Sequence, residues 1–137
     1  MNRRDFQELA GIRLREAKTL LRADHHAGAY YLAGYVVECA LKACIAKRTK
    51  AGDFPDISTV RASYTHDLDD LVRVAGLELE RDRLVRENRV FALNWGLVKD
   101  WTEASRYSLQ GKEQAEALIA AVSQRGTGIL SWLRNHW

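Results

Sequence analysis

One segment of this 137-residue chain is apolar on nearly every side, and it constrains the fold more than any other feature. It runs from Ala29 to about Lys47, and up to Ile45 its only charges are Glu38 and Lys42. A helix without a polar face belongs at the centre of a bundle, because neighbours must cover it all round. The longest uncharged apolar stretch of the chain, residues 27–37, is shorter than the roughly 18 residues of a membrane span. The sequence therefore predicts a central core helix and no membrane segment.

The two charges share a stripe of this helix with two phenols. At about 100° per residue, the four side chains fall within about 60° of one another; they are Tyr31, Tyr35, Glu38 and Lys42. A buried charge costs several kcal/mol unless it is paired, so the stripe must meet water, a counter-charge or a ligand. Two interpretations stay open. The stripe is either an i,i+4 Glu–Lys pair beside a solvated groove or an oligomer interface, or a groove that faces a ligand.

Hydrophobic spacing predicts helix along most of the remaining chain. Steps of four and three residues predict a first helix over Arg3–Arg22, which a turn at residues 24–28 joins to the central helix. Gly52 to Asp56 forms a break around Pro55, and a loop follows to Tyr64. Thr65 then caps a short helix that ends at Gly76. Further helices are expected at about 78–94, ending near Gly96, and at about 111–133. We expect one all-α domain over residues 1–137, an antiparallel up-and-down four-helix bundle with an additional short helix.

A second cluster lies in the aromatic segment between residues 95 and 107. It contains Trp95, Trp101, Arg106 and Tyr107. Arginine beside aromatic rings can clamp a phosphate or stack on a base. Alternatively, Arg106 pairs with Glu38 and fastens this segment to the central helix.

The remaining titratable residues give weaker indications. His66 is expected near a helix start, where it either bonds locally or acts as a base. His25 and His26 lack a carboxylate or thiolate at ligand spacing, so no metal site is predicted. Cys39 and Cys44 fit small buried residues of a reduced, cytoplasmic protein, and no apolar signal core precedes them. The net charge of +3 permits a polyanionic partner without requiring one.

The string GAYYLAGYVVECALKA, residues 28–43, resembles the HEPN family of small helical domains. The resemblance continues in order through RLREA at 13–17, Phe54-Pro55, THDL at 65–68, and Trp101 to Tyr107. It implies an up-and-down helical bundle, often a homodimer, frequently encoded beside a minimal nucleotidyltransferase in toxin–antitoxin or defence systems. Many members are metal-independent ribonucleases with an Arg-x(4–6)-His motif, in which the Arg holds the phosphate and the His handles the proton. Arg61 and His66 match that spacing, in the loop before the short helix.

Three hypotheses for function follow. The first is a nucleotide- or RNA-binding subunit, or an interaction subunit for a nucleotidyltransferase, whose groove combines the stripe with Arg106 and Tyr107 at its mouth. The second is a ribonuclease toxin with His66 as general acid/base and Arg61 or Arg106 as phosphate clamp. The third is a structural dimeric scaffold. No cofactor is expected, and whether the chain is an enzyme stays open.

Overall fold

The structure, a computed structural model, describes residues 1–49 and 53–137, and within these ranges it is helical and contains no strand. The α-helices are α1 (Arg3–Arg22), α2 (His26–Arg48), α3 (Ile57–Ala62), α4 (Leu68–Val74), α5 (Glu78–Glu87), α6 (Arg89–Lys99), α7 (Lys112–Ser123) and α8 (Ile129–Arg134). A 3₁₀ helix, Glu103–Tyr107, lies between α6 and α7. The predicted all-α class is confirmed.

The first helix has the predicted bounds, and its start has a local cause. The Asn2 side chain accepts a hydrogen bond from Asp5 N at 3.1 Å, and the Asp5 carboxylate accepts one from Asn2 N at 2.8 Å. This reciprocal capping box satisfies two amide groups that the first helical turn leaves free. Asp24, with φ of 62°, reverses the chain, and α2 already begins at His26. The turn is therefore shorter than predicted.

The central helix α2 contacts α1, α4, α7, α8 and the 3₁₀ helix. By length and composition it could also cross a membrane, with a mean hydropathy of 1.3 over 18 residues, but 67% of that window is buried inside the protein. Its cysteines are part of this core. Burial raises the pKa of both thiols, Cys39 and Cys44, to about 12, so both remain protonated at neutral pH. They are free, as predicted.

Two predicted long helices are each divided in the structure. Asn88 interrupts the first with extended backbone, and its side chain accepts a hydrogen bond from Phe91 N at 3.0 Å, so it caps a new helix, α6. That helix continues through Gly96 to Lys99. The second is broken between α7 and α8, where Gly126 has φ of 78°, a conformation that side-chain-bearing residues rarely adopt. Hydrophobic spacing continues across both breaks, so spacing alone predicted one helix in each place; only Gly126 and Gly128 indicated a local kink or a close helix–helix approach in the second.

The segment before α4 also differs from the prediction. The expected loop contains the short helix α3. Asp56 caps this helix by accepting a hydrogen bond from Thr59 N at 3.2 Å. Gly52, the start of the predicted break, lies outside the described residues. The N-cap of α4 is Asp67 rather than Thr65, since the Asp67 side chain accepts from Asp70 N at 3.0 Å. This cap leaves His66 immediately outside the helix.

Candidate functional site

The stripe on α2 holds its two charges as a pair. Lys42 Nζ donates a hydrogen bond to Glu38 Oε1 at 2.9 Å. The Glu38 side chain is only 2% exposed and that of Lys42 is 18% exposed. The ring centroids of Tyr31 and Tyr35 lie 6.1 Å apart. Burial raises the pKa of the Tyr35 phenol, and the neighbouring Cys39 and Glu38 raise it further, so this phenol stays neutral. Glu38 thus has the counter-charge that its burial requires.

His66 is a second partner of Glu38, and this contact was not predicted. Its Nδ1 lies 2.9 Å from Glu38 Oε1 and 3.1 Å from Oε2. An ionised carboxylate only accepts hydrogen bonds, so Nδ1 carries the proton in this contact. The other ring nitrogen, Nε2, lies 3.4 Å from Glu103 Oε2. The buried carboxylate therefore fixes the orientation of a ring that is itself 42% exposed.

Arg106 joins the same group of side chains through Glu103. Its Nη1 donates to Glu103 Oε1 at 2.9 Å, and its guanidinium lies 4.9 Å from the ring centroid of Tyr107. The predicted pair between Arg106 and Glu38 is wrong, because His66 and Glu103 stand between them. The resulting row, Lys42–Glu38–His66–Glu103–Arg106, is called the His66 cluster below. The cluster joins α2 to the 3₁₀ helix through His66, the residue just before the N-cap of α4.

Two members of the cluster, His66 and Glu103, line a groove, whereas Arg106 and Tyr107 are not among its lining residues. A cavity of about 430 Å³ is lined by Thr65, His66, Lys99, Trp101, Thr102 and Glu103, among others. This volume falls in the range of small-ligand sites. We call this cavity the His66 groove.

A second cavity is lined by Glu38 itself. It measures about 510 Å³ and is lined by Tyr35, Glu38 and Lys42 together with apolar side chains of α1 such as Phe6 and Leu9. Tyr35, Glu38 and Lys42 of the stripe therefore line a different cavity from His66 and Glu103.

Trp101 fixes the 3₁₀ segment against α2. Its indole is 2% exposed, stacks on Tyr31 with centroids 6.0 Å apart, and lies against Gly34. A Cβ added to Gly34 would overlap the indole. Trp95 lies elsewhere, beneath the guanidinium of Arg81 at 5.1 Å, so it is not part of this cluster.

Arg61 is not brought to His66. It lies exposed on α3, and none of the hydrogen bonds or ion pairs described for His66 involves it. The Arg-x(4–6)-His spacing match therefore has no counterpart in side-chain contacts. The arginine connected to His66 is Arg106.

The cluster is not arranged as a metal centre. No group of three His, Cys, Asp or Glu side chains in the described ranges has the geometry of metal ligands. Glu38 and Glu103 bind opposite nitrogens of the His66 ring, so they do not converge on one point.

Comparison of this chain with family models, curated proteins and solved structures finds no match. What the site can do follows from its own groups. The His66 imidazole and the Arg106 guanidinium both approach the Glu103 carboxylate at the edge of the His66 groove. The buried Glu38 carboxylate orients the imidazole from its other side. These groups can hold an anion and can transfer a proton.

Proposed function

We propose that this chain is a binding subunit for a nucleotide or an RNA end, whose phosphate occupies the His66 groove. The observation that carries the proposal is the row of contacts from buried Glu38 through His66 to Glu103 and Arg106. His66 Nε2 and Arg106 Nη1 both approach one two-oxygen anion, Glu103. Because the two nitrogens approach different oxygens of that anion, a phosphate could likewise offer them separate oxygens.

Two further groups favour a nucleotide over a simple anion. Lys99 lines the groove and adds a positive charge. Tyr107 is 81% exposed and carries the Arg106 guanidinium over one face of its ring, which leaves aromatic surface available to a base. Bases stack on such faces without regard to sequence, and stacking contributes about 1–3 kcal/mol per base.

The resemblance to the HEPN family supports a cellular setting for this activity. In that setting the chain is a cytoplasmic homodimer, an antiparallel up-and-down four-helix bundle, and the partner of a minimal nucleotidyltransferase in a toxin–antitoxin or defence system. Co-purification of the chain with a nucleotidyltransferase encoded beside it would test this part of the proposal separately from ligand binding.

Arg106→Ala is expected to raise the Kd for adenosine 5′-monophosphate and for a short 5′-phosphorylated RNA about tenfold. This is the size of one lost charge-assisted hydrogen bond. Isothermal titration calorimetry measures the change. The fold should persist, because Arg106 is 45% exposed and exposed ion pairs contribute little stability.

Arg83→Ala is the matched control for this experiment. Arg83 forms an equally short pair with Glu87, at 2.9 Å, on an exposed face of α5. Its removal should leave the Kd within about twofold of the wild-type value. Absence of measurable binding by the wild-type protein, or equal losses in the two variants, contradicts the proposal.

A ribonuclease is the second candidate, and the hydrogen bond between Glu38 and His66 favours it. A buried carboxylate on Nδ1 and a ring nitrogen toward a groove form an arrangement that supports general acid–base chemistry. His66 Nε2 would accept the proton of a ribose 2′-hydroxyl while that oxygen attacks the adjacent phosphorus. The P–O5′ bond then breaks, the leaving oxygen takes a proton, and a cyclic phosphate remains.

For this candidate, purified protein is expected to cleave RNA in the presence of EDTA, and His66→Ala to slow cleavage at least about a hundredfold. His25→Ala is the control, since His25 is exposed and makes no side-chain cap. Gel analysis of a labelled RNA measures the rates. Uncleaved RNA with the wild-type protein, together with normal growth of cells expressing it, excludes the ribonuclease and leaves the binding proposal standing.

A further inference from the structure

Glu103 occupies the place that the proposed ligand needs. Its two oxygens lie 3.4 Å from His66 Nε2 and 2.9 Å from Arg106 Nη1. A carboxylate of the chain itself therefore lies against both groups that would hold a phosphate: it is hydrogen bonded to Arg106, and it stands within ion-pair distance of His66 Nε2. A ligand gains these donors only by displacing Glu103.

Glu103 can leave, and His66 keeps its orientation when it does. Glu103 is the first residue of a five-residue 3₁₀ helix, and its side chain is 35% exposed, so rotation carries the carboxylate into water. Glu38, at 2% exposed and hydrogen bonded on two sides, stays in place. The His66 ring is thus still held through Nδ1, and Nε2 becomes available in the groove.

We infer that Glu103 is a displaceable internal competitor that makes the site selective for a terminal phosphate monoester. The inference rests on the proposed function. A carboxylate and an internal phosphodiester each carry one negative charge, so exchanging one for the other gains little. A phosphate monoester carries a charge of about −1.5 to −2 at pH 7 and three terminal oxygens, so it competes better than a carboxylate for the Arg106 guanidinium and the His66 ring. The ligand class is therefore a nucleoside monophosphate or a phosphorylated RNA end.

The test compares a short single-stranded RNA with a 5′-phosphate and the same RNA with a 5′-hydroxyl, titrated into the wild-type protein and Glu103→Gln. Wild-type protein is expected to bind the phosphorylated RNA about tenfold more tightly than the hydroxyl-ended RNA. Glu103→Gln should bind the phosphorylated RNA about tenfold more tightly than the wild type does, because a neutral amide competes poorly for the Arg106 guanidinium and the His66 ring. Circular dichroism verifies that the variant is folded.

Asp100→Asn is the matched control for net charge. Asp100 is exposed at the end of α6, beside Lys99, and does not line the groove. This variant should bind within about twofold of wild type. If wild-type protein binds but Glu103→Gln binds no more tightly, or if the RNA end makes no difference, the inference is overturned while the proposed function stands. If neither protein binds either RNA, the proposed function fails and the inference fails with it.

Discussion

Gly34→Ala is expected to lower the free energy of unfolding by about 3 kcal/mol, the upper end for an added methyl group in a packed core. The added Cβ would overlap the indole of Trp101, which is buried and stacked on Tyr31. A Cβ that overlaps the indole cannot be accommodated, so Trp101 and the segment that follows it must move away from α2. Urea unfolding followed by circular dichroism gives the stability change, and near-ultraviolet spectra report the displaced indole.

Gly96→Ala provides the control for this substitution. Gly96 is also a helical glycine, in α6, but its added Cβ would meet no described atom within 4 Å. Alanine there should stabilise the protein by about 0.5–1 kcal/mol, the usual helix preference over glycine. Opposite signs for the two variants are expected. Equal stability of Gly34→Ala and wild type would contradict the close packing of Trp101 on α2.

Glu38→Ala is expected to cost about 3 kcal/mol of stability, because it leaves the half-enclosed Lys42 ammonium without its partner. The stability depends on Lys42 having a suitable neighbour and not on the ion pair as such, so an apolar pair should be able to replace both residues. In the double variant Glu38→Met with Lys42→Met, an apolar pair fills the same space, and stability should return to within about 1 kcal/mol of wild type. His66 loses its partner in both variants but can reach water.

Glu87→Ala is the matched comparison for Glu38→Ala. Glu87 also pairs with a cation four residues away, at 2.9 Å, but on a solvated face where such pairs contribute about 0.3–0.5 kcal/mol. Chemical denaturation of all variants under one condition gives the ranking. A loss for Glu38→Ala as small as that for Glu87→Ala would show that Glu38 is solvated, contrary to its 2% exposure.

The features that were predictable from the sequence are those that depend on neighbouring residues. The spacing of apolar residues predicted α1, and the absence of a polar face predicted the central position of α2. The breaks at Asn88 and Gly126 were not predictable from spacing, because a single capping side chain or a positive φ ends a helix without changing the hydrophobic pattern.

The same distinction applies to the site. The pair of Glu38 with Lys42 follows from i,i+4 spacing, and the pair of Glu103 with Arg106 could have been found from i,i+3 spacing. The contact of Glu38 with His66 spans 28 residues across a proline-containing segment and α3, so no local pattern indicated it. The burial of Glu38 did predict that some polar partner was needed, but not which one.

The His66 cluster draws its five side chains from three distant stretches of the chain, whereas the α1–α2 hairpin needs only neighbours in sequence. Bringing distant stretches together carries a loop-closure entropy that only the completed tertiary structure offsets. Formation of the α1–α2 hairpin and assembly of the His66 cluster are thus separable steps of folding. A partly folded chain can contain the hairpin and still lack the cluster.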